Sequence, residues 1–381
     1  MTRTTRALID LHALQHNLGR VRELAPASRV MAIVKADAYG HGSVRVAYGL
    51  ASVDSFGVAR LNEAITLREA GITQPIVLLE GFLDAAELPL ICQHRLSVVV
   101  HHAAQIDMLE RAVLSAPVPV WIKVDSGMHR LGFTPAEVRN AWERLKCCPQ
   151  VAKPLRLMTH LASADNRADD LTSKQLTCFN STVAGLDAEH SIANSAAILG
   201  WPQTHADWVR PGLMLYGVSP FPGRTAAQDG LRPVMTLSTK LIAKHALSKG
   251  DSVGYGASWT CPHDMPIGIA AIGYGDGYPR HAVSGTPVLL NGRRVSLIGR
   301  VSMDMICLDL STQPEAGVGD AVILWGEGLP VEEVAQHAST IPYELLCAVA
   351  RRVTVDVAST LDDATAPSGA PLSIHPASPA V

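Results

Sequence analysis

Excess positive charge, long apolar runs and paired cysteines are all lacking in this 381-residue sequence. The formal net charge is -3 at pH 7, so the chain has no excess of the cationic residues that bind nucleic acid, and nucleic acid is not expected as a partner. No apolar run is long enough to cross a bilayer, so no membrane partner is expected. The N-terminal stretch MTRTTRALIDLHALQHNL is interrupted by Asp10 and His12 and lacks the continuous apolar segment of a secretory signal.

Cysteine usage narrows the class of protein further. The seven cysteines are odd in number and have no CxxC spacing, although Cys147 and Cys148 are adjacent. This pattern argues against a disulfide framework and a zinc site, so we expect no metal and a reduced, cytoplasmic protein. The chain is 48% hydrophobic and 18% charged, which is typical of a globular protein. Its length exceeds one ordinary core and indicates two domains.

Short apolar, β-branched runs alternate with longer stretches of helical periodicity over the first two thirds of the chain. Strands that alternate with helices pair in parallel. Eight such units predict an α/β fold with a (β/α)8 TIM-like barrel, whose usual length is roughly 250 residues, and a doubly wound open sheet is the alternative. The eight predicted strands occupy 29–35, 55–59, 75–79, 96–100, 118–124, 155–160, 190–194 and 207–211.

The pattern changes after Leu215. Strand-like stretches are separated by Lys-Gly-Asp and Asn-Gly turns, and no long helical period appears before 331–350. We therefore predict a barrel domain over 1–225 and a mostly β C-terminal domain over 226–361. Residues 362–381 are rich in Pro, Ala and Ser and are predicted to form a disordered tail.

Polar residues stand at the ends of several predicted barrel strands. Such barrels carry their catalytic groups at the carboxyl ends of the strands, so these side chains should share one rim. One strand-end residue alone is more often structural, but several on one rim favour a site. The residues are Lys35, His160, Asn194 with Ser195, and Arg210.

A phosphate cup is predicted on the same rim, after the last two strands. The backbone N–H groups of Gly212 and Leu213, with the Ser195 hydroxyl, can cradle a phosphate. Barrels frequently bind phosphate in these two loops. A lysine beside a phosphate cup suggests pyridoxal phosphate, because a lysine amine can form a Schiff base with its aldehyde.

Eight motifs in one order carry a resemblance to a known family. They are VKADAYGHG (34–42), KVDSGMHRLGF (123–133), MTHLASAD (158–165), ANSAA (193–197), VRPGLMLYG (209–217), VGYG (253–256), GRVSMDM (299–305) and IPYELLC (341–347). The chain resembles the bacterial alanine racemases from about residue 7 to residue 357. The resemblance implies pyridoxal 5'-phosphate as the cofactor and L-alanine and D-alanine as the substrates of an isomerase.

The resemblance also implies a role for each matching residue. Lys35 would be the Schiff-base lysine and the base on the D-alanine side, and Tyr255 the base on the L-alanine side. Arg130 would bind the substrate carboxylate, and Met303 and Asp304 would belong to the substrate pocket. The implied cofactor-binding residues are Lys35, Tyr39, His160, Asn194, Ser195, Arg210, Gly212, Leu213 and Tyr343.

Two further features follow from the same resemblance. Tyr255 and Met303 would enter the site from a partner subunit, which implies a homodimer with shared active sites. Lys123 would carry a carbamate whose negative charge orients Arg130. A lysine packed along the barrel wall with its amine reaching water is the alternative for Lys123.

Several other functions stay open at this point. Loop residues set pocket size, so a broader racemase acting on serine or lysine is an alternative. A non-catalytic pyridoxal-phosphate-binding protein is disfavoured by the C-terminal β domain with its VGYG and SMDM motifs. A barrel decarboxylase is disfavoured by Arg210, which stands where an acidic partner of the pyridine nitrogen would be expected. The D-alanine could serve peptidoglycan synthesis or be degraded as a nutrient.

Overall fold

Eight parallel strands close into a barrel in the N-terminal part of the chain, in the computed structural model that describes residues 4–358. The last strand pairs with the first, with Arg29 opposite Trp208 and Val30 opposite Val209. The strands span Arg29–Ile33, Ser55–Val58, Ile76–Leu78, Ser97–Val100, Val118–Lys123, Val151–Met158, Glu189–Asn194 and Trp208–Arg210. The predicted barrel is confirmed, and the open sheet is excluded.

One helix precedes the first barrel strand and the others follow barrel strands, and capping side chains define where several of them begin. Asp10 Oδ1 accepts the N–H groups of His12 and Ala13 at the start of the first helix. The helices span Leu11–Leu24, Ser43–Gly49, Leu61–Glu69, Leu88–Gln93, Ala103–Arg111, Pro135–Cys147, Leu171–Val183 and Ser195–Gly200. Across the described part of the chain, each helix is too short or too polar to span a bilayer.

Seven strands from the C-terminal part of the chain and one from its start form an eight-stranded sheet in which most neighbours are antiparallel. This confirms the predicted β-rich region. Two short helices, Val331–His337 and Pro342–Cys347, follow the strand Ala321–Trp325. The strands of this sheet are Arg6–Asp10, Met235–Leu247, Met265–Ala270, Pro287–Leu290, Arg293–Ile298, Ile306–Asp309, Ala321–Trp325 and Thr354–Ala358.

The first strand of the chain, Arg6–Asp10, belongs to this C-terminal sheet and not to the barrel. It pairs antiparallel with Met235–Leu247 and parallel with Thr354–Ala358. Its alternating burial, with Ala7 and Ile9 fully buried, suits a strand that has one covered face. The predicted first domain, 1–225, therefore contains a strand that pairs with the other domain's sheet. The predicted tail, 362–381, lies outside the described residues.

Charged and aromatic side chains fill the amino-terminal end of the barrel. Glu189 binds Arg29 and accepts hydrogen bonds from Arg156 Nε at 2.8 Å and Trp208 Nε1 at 3.0 Å. The Arg29 guanidinium lies 4.3 Å from the centroid of the Trp208 ring. Burial raises the pKa of Glu189, but the hydrogen bonds from these donors outweigh it and lower the pKa to about 2. We call these four side chains the plug. Because the plug closes the amino-terminal end of the barrel, a site is expected at the opposite end.

Candidate active site

A cavity of about 700 Å³ opens at the carboxyl ends of the barrel strands, under the helix Pro342–Cys347. Barrels of this kind carry their chemistry at this end. The predicted site residues that line the cavity are Lys35, Tyr39, Lys123, Arg130, His160, Asn194, Ser195, Arg210, Gly212, Leu213 and Tyr343. The structure thus brings together residues that lie as far as 308 positions apart in the sequence (343 − 35).

The backbone after the first barrel strand makes a left-handed turn over Lys35–Tyr39. Four consecutive non-glycine residues have positive φ: Ala36 at 53°, Asp37 at 52°, Ala38 at 54° and Tyr39 at 53°. Each such residue costs about 1–2 kcal/mol relative to the right-handed form. A run of this kind persists only where surrounding contacts hold it. The turn projects Lys35 and Tyr39 into the cavity.

Two carboxylates connect this turn to the segments around it. The N–H of Ala36, the residue after Lys35, donates to Glu63 Oε1 at 2.7 Å. The N–H of Ser43 donates to Asp37 Oδ1 at 2.7 Å. Because Glu63 also caps the helix Leu61–Glu69, the lysine-bearing turn is fixed to the neighbouring βα unit.

A buried histidine holds the middle of the turn. His41 is 0% exposed, and its Nδ1 lies 3.0 Å from the carbonyl oxygen of Ala38 and 2.9 Å from that of Tyr39. Carbonyls only accept, so Nδ1 carries the proton. Burial lowers the pKa of His41 to about 4, which keeps the ring neutral. At Gly40, φ is 80° and a Cβ would lie 2.2 Å from the Leu346 carbonyl oxygen, so only glycine fits.

The Ser195 hydroxyl lies where the sequence predicts a phosphate cup. Ser195 Oγ accepts the N–H of Gly212 at 2.9 Å and that of Met214 at 3.3 Å. A Cβ on Gly212 would lie 2.7 Å from the Tyr39 hydroxyl oxygen, so glycine lets the backbone and the phenol approach each other. Because Ser195 Oγ accepts these two N–H groups, its own proton is free to be donated, which suits an oxygen of a small anion such as a phosphate.

Arg210 lies almost wholly buried, 5% exposed, at the end of the eighth barrel strand. Its Nη1 donates to Ser191 Oγ at 2.6 Å, and its Nη2 donates to the Thr159 carbonyl oxygen at 2.5 Å. Nη2 also lies 3.4 Å from His160 Nδ1. Within residues 4–358, no carboxylate forms an ion pair with Arg210, and its Nε makes no hydrogen bond. These hydrogen bonds fix the guanidinium, and its Nε stays available to donate to a bound group.

His160 is held neutral beside this arginine. Burial, together with the charges of Arg210 and the other cavity cations, lowers its pKa well below the ordinary value. An arginine can only donate, so His160 Nδ1 accepts and the proton lies on Nε2. The ring can therefore donate into the cavity.

Cations outnumber carboxylates among the side chains that line the cavity, where the carboxylates are Glu80, Asp165 and Glu332. Lys35, Lys123, Arg130 and Arg210 all line it, and none of them forms an ion pair within the described residues. Burial, and then the charges of Arg210, Arg130 and Lys35, lower the pKa of Lys123 to about 7. Several cations brought together without carboxylate partners fit an anionic group such as a phosphate ester.

Three predicted site residues lie outside this cavity in a single chain. Tyr255 is 69% exposed and Met303 is 53% exposed, and neither they nor Asp304 line the cavity. All three lie between strands of the C-terminal domain, and Tyr255 begins a short 3-10 helix there. In the described part of the chain, no group of three or more His, Cys, Asp or Glu side chains is placed to hold a metal ion.

Two supporting residues were not predicted from the sequence. Glu63 and His41 hold the turn after Lys35, but neither stands at a strand end. The two glycines that flank His41, Gly40 and Gly42, are the signal in the sequence that could have identified it. Both have positive φ in the structure. Glu63 carries no local signal of this contact, since it lies 27 residues from Ala36.

Family models place both parts of the chain in one class of isomerases, the amino-acid racemases. The alanine racemase N-terminal domain family matches residues 9–220, and the alanine racemase C-terminal domain family matches residues 234–357. An alanine racemase of Nitrosococcus oceani is 62% identical over 91% of this chain and 97% of its own length. One from Shewanella baltica is 54% identical over 93% and 99%.

Solved structures agree with the sequence relatives. The biosynthetic alanine racemase of Pseudomonas aeruginosa superposes with a TM-score of 0.91 at 46% identity, over 94% of this chain and all of that one. Alanine racemase from Acinetobacter baumannii gives a TM-score of 0.88 at 38% identity, with the same coverage. The chain belongs to the alanine racemase family.

Proposed function

We propose that this protein interconverts L-alanine and D-alanine with pyridoxal 5'-phosphate bound in the barrel cavity. The observation that carries the proposal is the group of unpaired cations in this cavity, with Lys35 on a strained turn beside the cup around Ser195. When bound there, the cofactor supplies a ring that withdraws electrons from the substrate's α-carbon. Membership of the alanine racemase family supports the choice of substrate.

The cavity residues fit the cofactor group by group. Tyr39, Ser195 and Tyr343, with the backbone at Gly212 and Leu213, would hold the phosphate. Arg210 Nε would donate to the pyridine nitrogen, since the other guanidinium nitrogens are bound to the barrel. Asn194 caps the helix that starts at Ser195, and so fixes the cup, by accepting the Ala197 N–H at 3.1 Å. His160, a neutral donor, would help to hold the cofactor.

Inversion at the α-carbon needs the proton removed from one face and returned to the other. Lys35 Nζ would exchange the proton on the D-alanine side, and the Tyr255 hydroxyl would exchange it on the L-alanine side. Arg130 would hold the substrate carboxylate, which keeps the α-carbon between the two bases. Arg210 would keep its own proton and would therefore not transfer it to the pyridine nitrogen, which disfavours transamination.

We infer a homodimer in which Tyr255, Met303 and Asp304 complete the partner's cavity. Their exposure, and their absence from their own chain's cavity, supports this arrangement. Mixing Lys35→Ala and Tyr255→Ala subunits should then restore racemase activity, because one site of each heterodimer keeps both bases. Random pairing should return about a quarter of wild-type activity. No recovery after proven subunit exchange would contradict shared sites.

Lys123 is proposed to carry a carbamate. Carbon dioxide reacts with a neutral amine, which gains a carboxylate and loses a proton. A pKa of about 7 leaves about half of the Lys123 amine neutral at pH 7, whereas an ordinary lysine is almost fully protonated. The negative product would offset the charges of Arg130 and Arg210. A ¹³C NMR signal from ¹³CO₂ that is absent in Lys123→Ala would support the carbamate, and an identical signal in both proteins would contradict it.

The function itself is tested by following optical rotation with each alanine enantiomer separately. We expect both enantiomers to reach the same equimolar mixture, and Lys35→Ala to be inactive. Serine and lysine serve as competing substrates, because a broader racemase would turn them over at comparable kcat/KM. Failure of either alanine enantiomer to react would overturn the proposal. The D-alanine formed would supply peptidoglycan or enter catabolism, in the cytoplasm.

A further inference from the structure

Backbone hydrogen bonds hold the turn over residues 302–305, which does not line the cavity of its own chain. The N–H of Tyr274 donates to the Ser302 carbonyl oxygen at 3.0 Å, and the N–H of Gly275 donates to that of Met303 at 2.8 Å. A Cβ on Gly273 would lie 2.2 Å from the Ser302 carbonyl oxygen. The loop over residues 273–275 is therefore in direct backbone contact with the turn over 302–305. The Met303 side chain on that turn is exposed.

Arg352 joins both loops to the end of the C-terminal domain. Its Nη2 lies 2.6 Å from Asp304 Oδ1, and its Nε lies 2.8 Å from Asp276 Oδ1. Asp276 is itself buried and accepts the N–H of Gly273 at 3.0 Å through its other oxygen. The hydrogen bonds that Arg352 donates to Asp304 and Asp276 raise its pKa. One guanidinium thus bridges two carboxylates on adjacent loops.

We propose that Arg352 is a positioning residue for substrate binding, acting through Asp304 on the turn that carries Met303. This inference rests on the proposed function, in which that turn completes the neighbouring subunit's pocket. Arg352 would do so in two ways. It fixes the turn mechanically, and it neutralises the Asp304 carboxylate, which would otherwise repel the carboxylate of an incoming amino acid.

The test compares Arg352→Gln with Arg352→Lys and with a matched control, Arg293→Gln. Arg293 forms an exposed ion pair with Glu315 in the same domain, so the control removes one surface guanidinium without touching the turn. In Arg352→Gln, we expect KM for both alanine enantiomers to rise about tenfold while kcat changes less than about twofold. Arg352→Lys should recover part of the affinity, since it restores the charge but not the bidentate geometry.

The double variant Arg352→Gln/Asp304→Asn separates the electrostatic effect of Arg352 on Asp304 from its mechanical effect on the turn. If charge repulsion dominates, removing the Asp304 charge should lower KM again. The visible absorbance of bound cofactor and the molecular mass of the dimer should be unchanged in all variants. An unchanged KM, an equal change in Arg293→Gln, or loss of the dimer would each overturn the positioning role.

Mixed dimers assign the effect to one subunit and separate it from the proposed function. The Lys35→Ala chain supplies Tyr255 and the turn to the single intact site. Arg352→Gln should therefore raise KM when it is carried on that chain. If the wild type does not racemise alanine, the proposed function fails. If the wild type racemises alanine and the mixed subunits complement each other while KM stays constant, only the role of Arg352 fails.

Discussion

The buried side chain of His41 allows a quantitative prediction. Its replacement should change how the free energy of unfolding depends on pH. An unfolded histidine has an ordinary pKa of 6.5, and burial lowers it to about 4 in the folded chain. Between these values the unfolded state binds more protons, so folding stability falls as the pH is lowered through this window. At pH 5.0 the imidazole should reduce stability by about 2 kcal/mol, and at pH 7.5 by almost nothing.

His41→Gln removes this titration and keeps an amide N–H that can donate to the turn. Its free energy of unfolding should therefore fall by about 2 kcal/mol less than that of the wild type between pH 7.5 and pH 5.0. Urea denaturation followed by circular dichroism at the two pH values measures the difference. His263→Gln, at an exposed loop position, is the control and should keep the wild-type pH dependence. Equal pH dependence in the wild type and His41→Gln would refute the reasoning.

Three shorter predictions test the phosphate cup at Ser195, the donation from Arg210 to the pyridine nitrogen, and the plug around Glu189. Gly212→Ala should raise the cofactor's dissociation constant about tenfold or more in a spectral titration, because its Cβ displaces the Tyr39 hydroxyl; wild-type affinity would contradict the cup. Arg210→Glu should increase the transamination rate measured as pyruvate release, and an unchanged rate would count against the ring argument. Glu189→Gln should lower the unfolding free energy by about 1–2 kcal/mol at neutral pH, because Arg29 and Arg156 lose a charged acceptor; a change near zero would show that the plug adds nothing.

The barrel and most of the cavity were predictable from sequence because both follow local patterns. Continuous apolar runs identify buried parallel strands, and barrel geometry brings the residues after them to one rim. Lys35, His160 and Arg210 were found in this way, as polar residues at or just past the strand ends. The same pattern led to the prediction of a phosphate cup at Gly212, just after the last strand.

Other features depend on contacts that no local pattern specifies. The left-handed turn after Lys35 runs through alanines and an aspartate, whose intrinsic preference is right-handed, and distant groups such as Glu63 impose it. The strand Arg6–Asp10 joins the C-terminal sheet through a partner that lies 348 positions away (354 − 6). The roles of Tyr255 and Met303 rest on the family resemblance, because a single chain does not bring them to the cavity.

The most direct test of the central claim is to locate the residue that binds the cofactor's aldehyde. Borohydride reduction of the purified protein, followed by peptide mass spectrometry, should find one pyridoxyl group per chain, on Lys35. The absorbance band of the bound cofactor in the visible range should disappear at the same time. A pyridoxyl group on another lysine, or no labelled peptide in a protein that racemises alanine, would contradict the account.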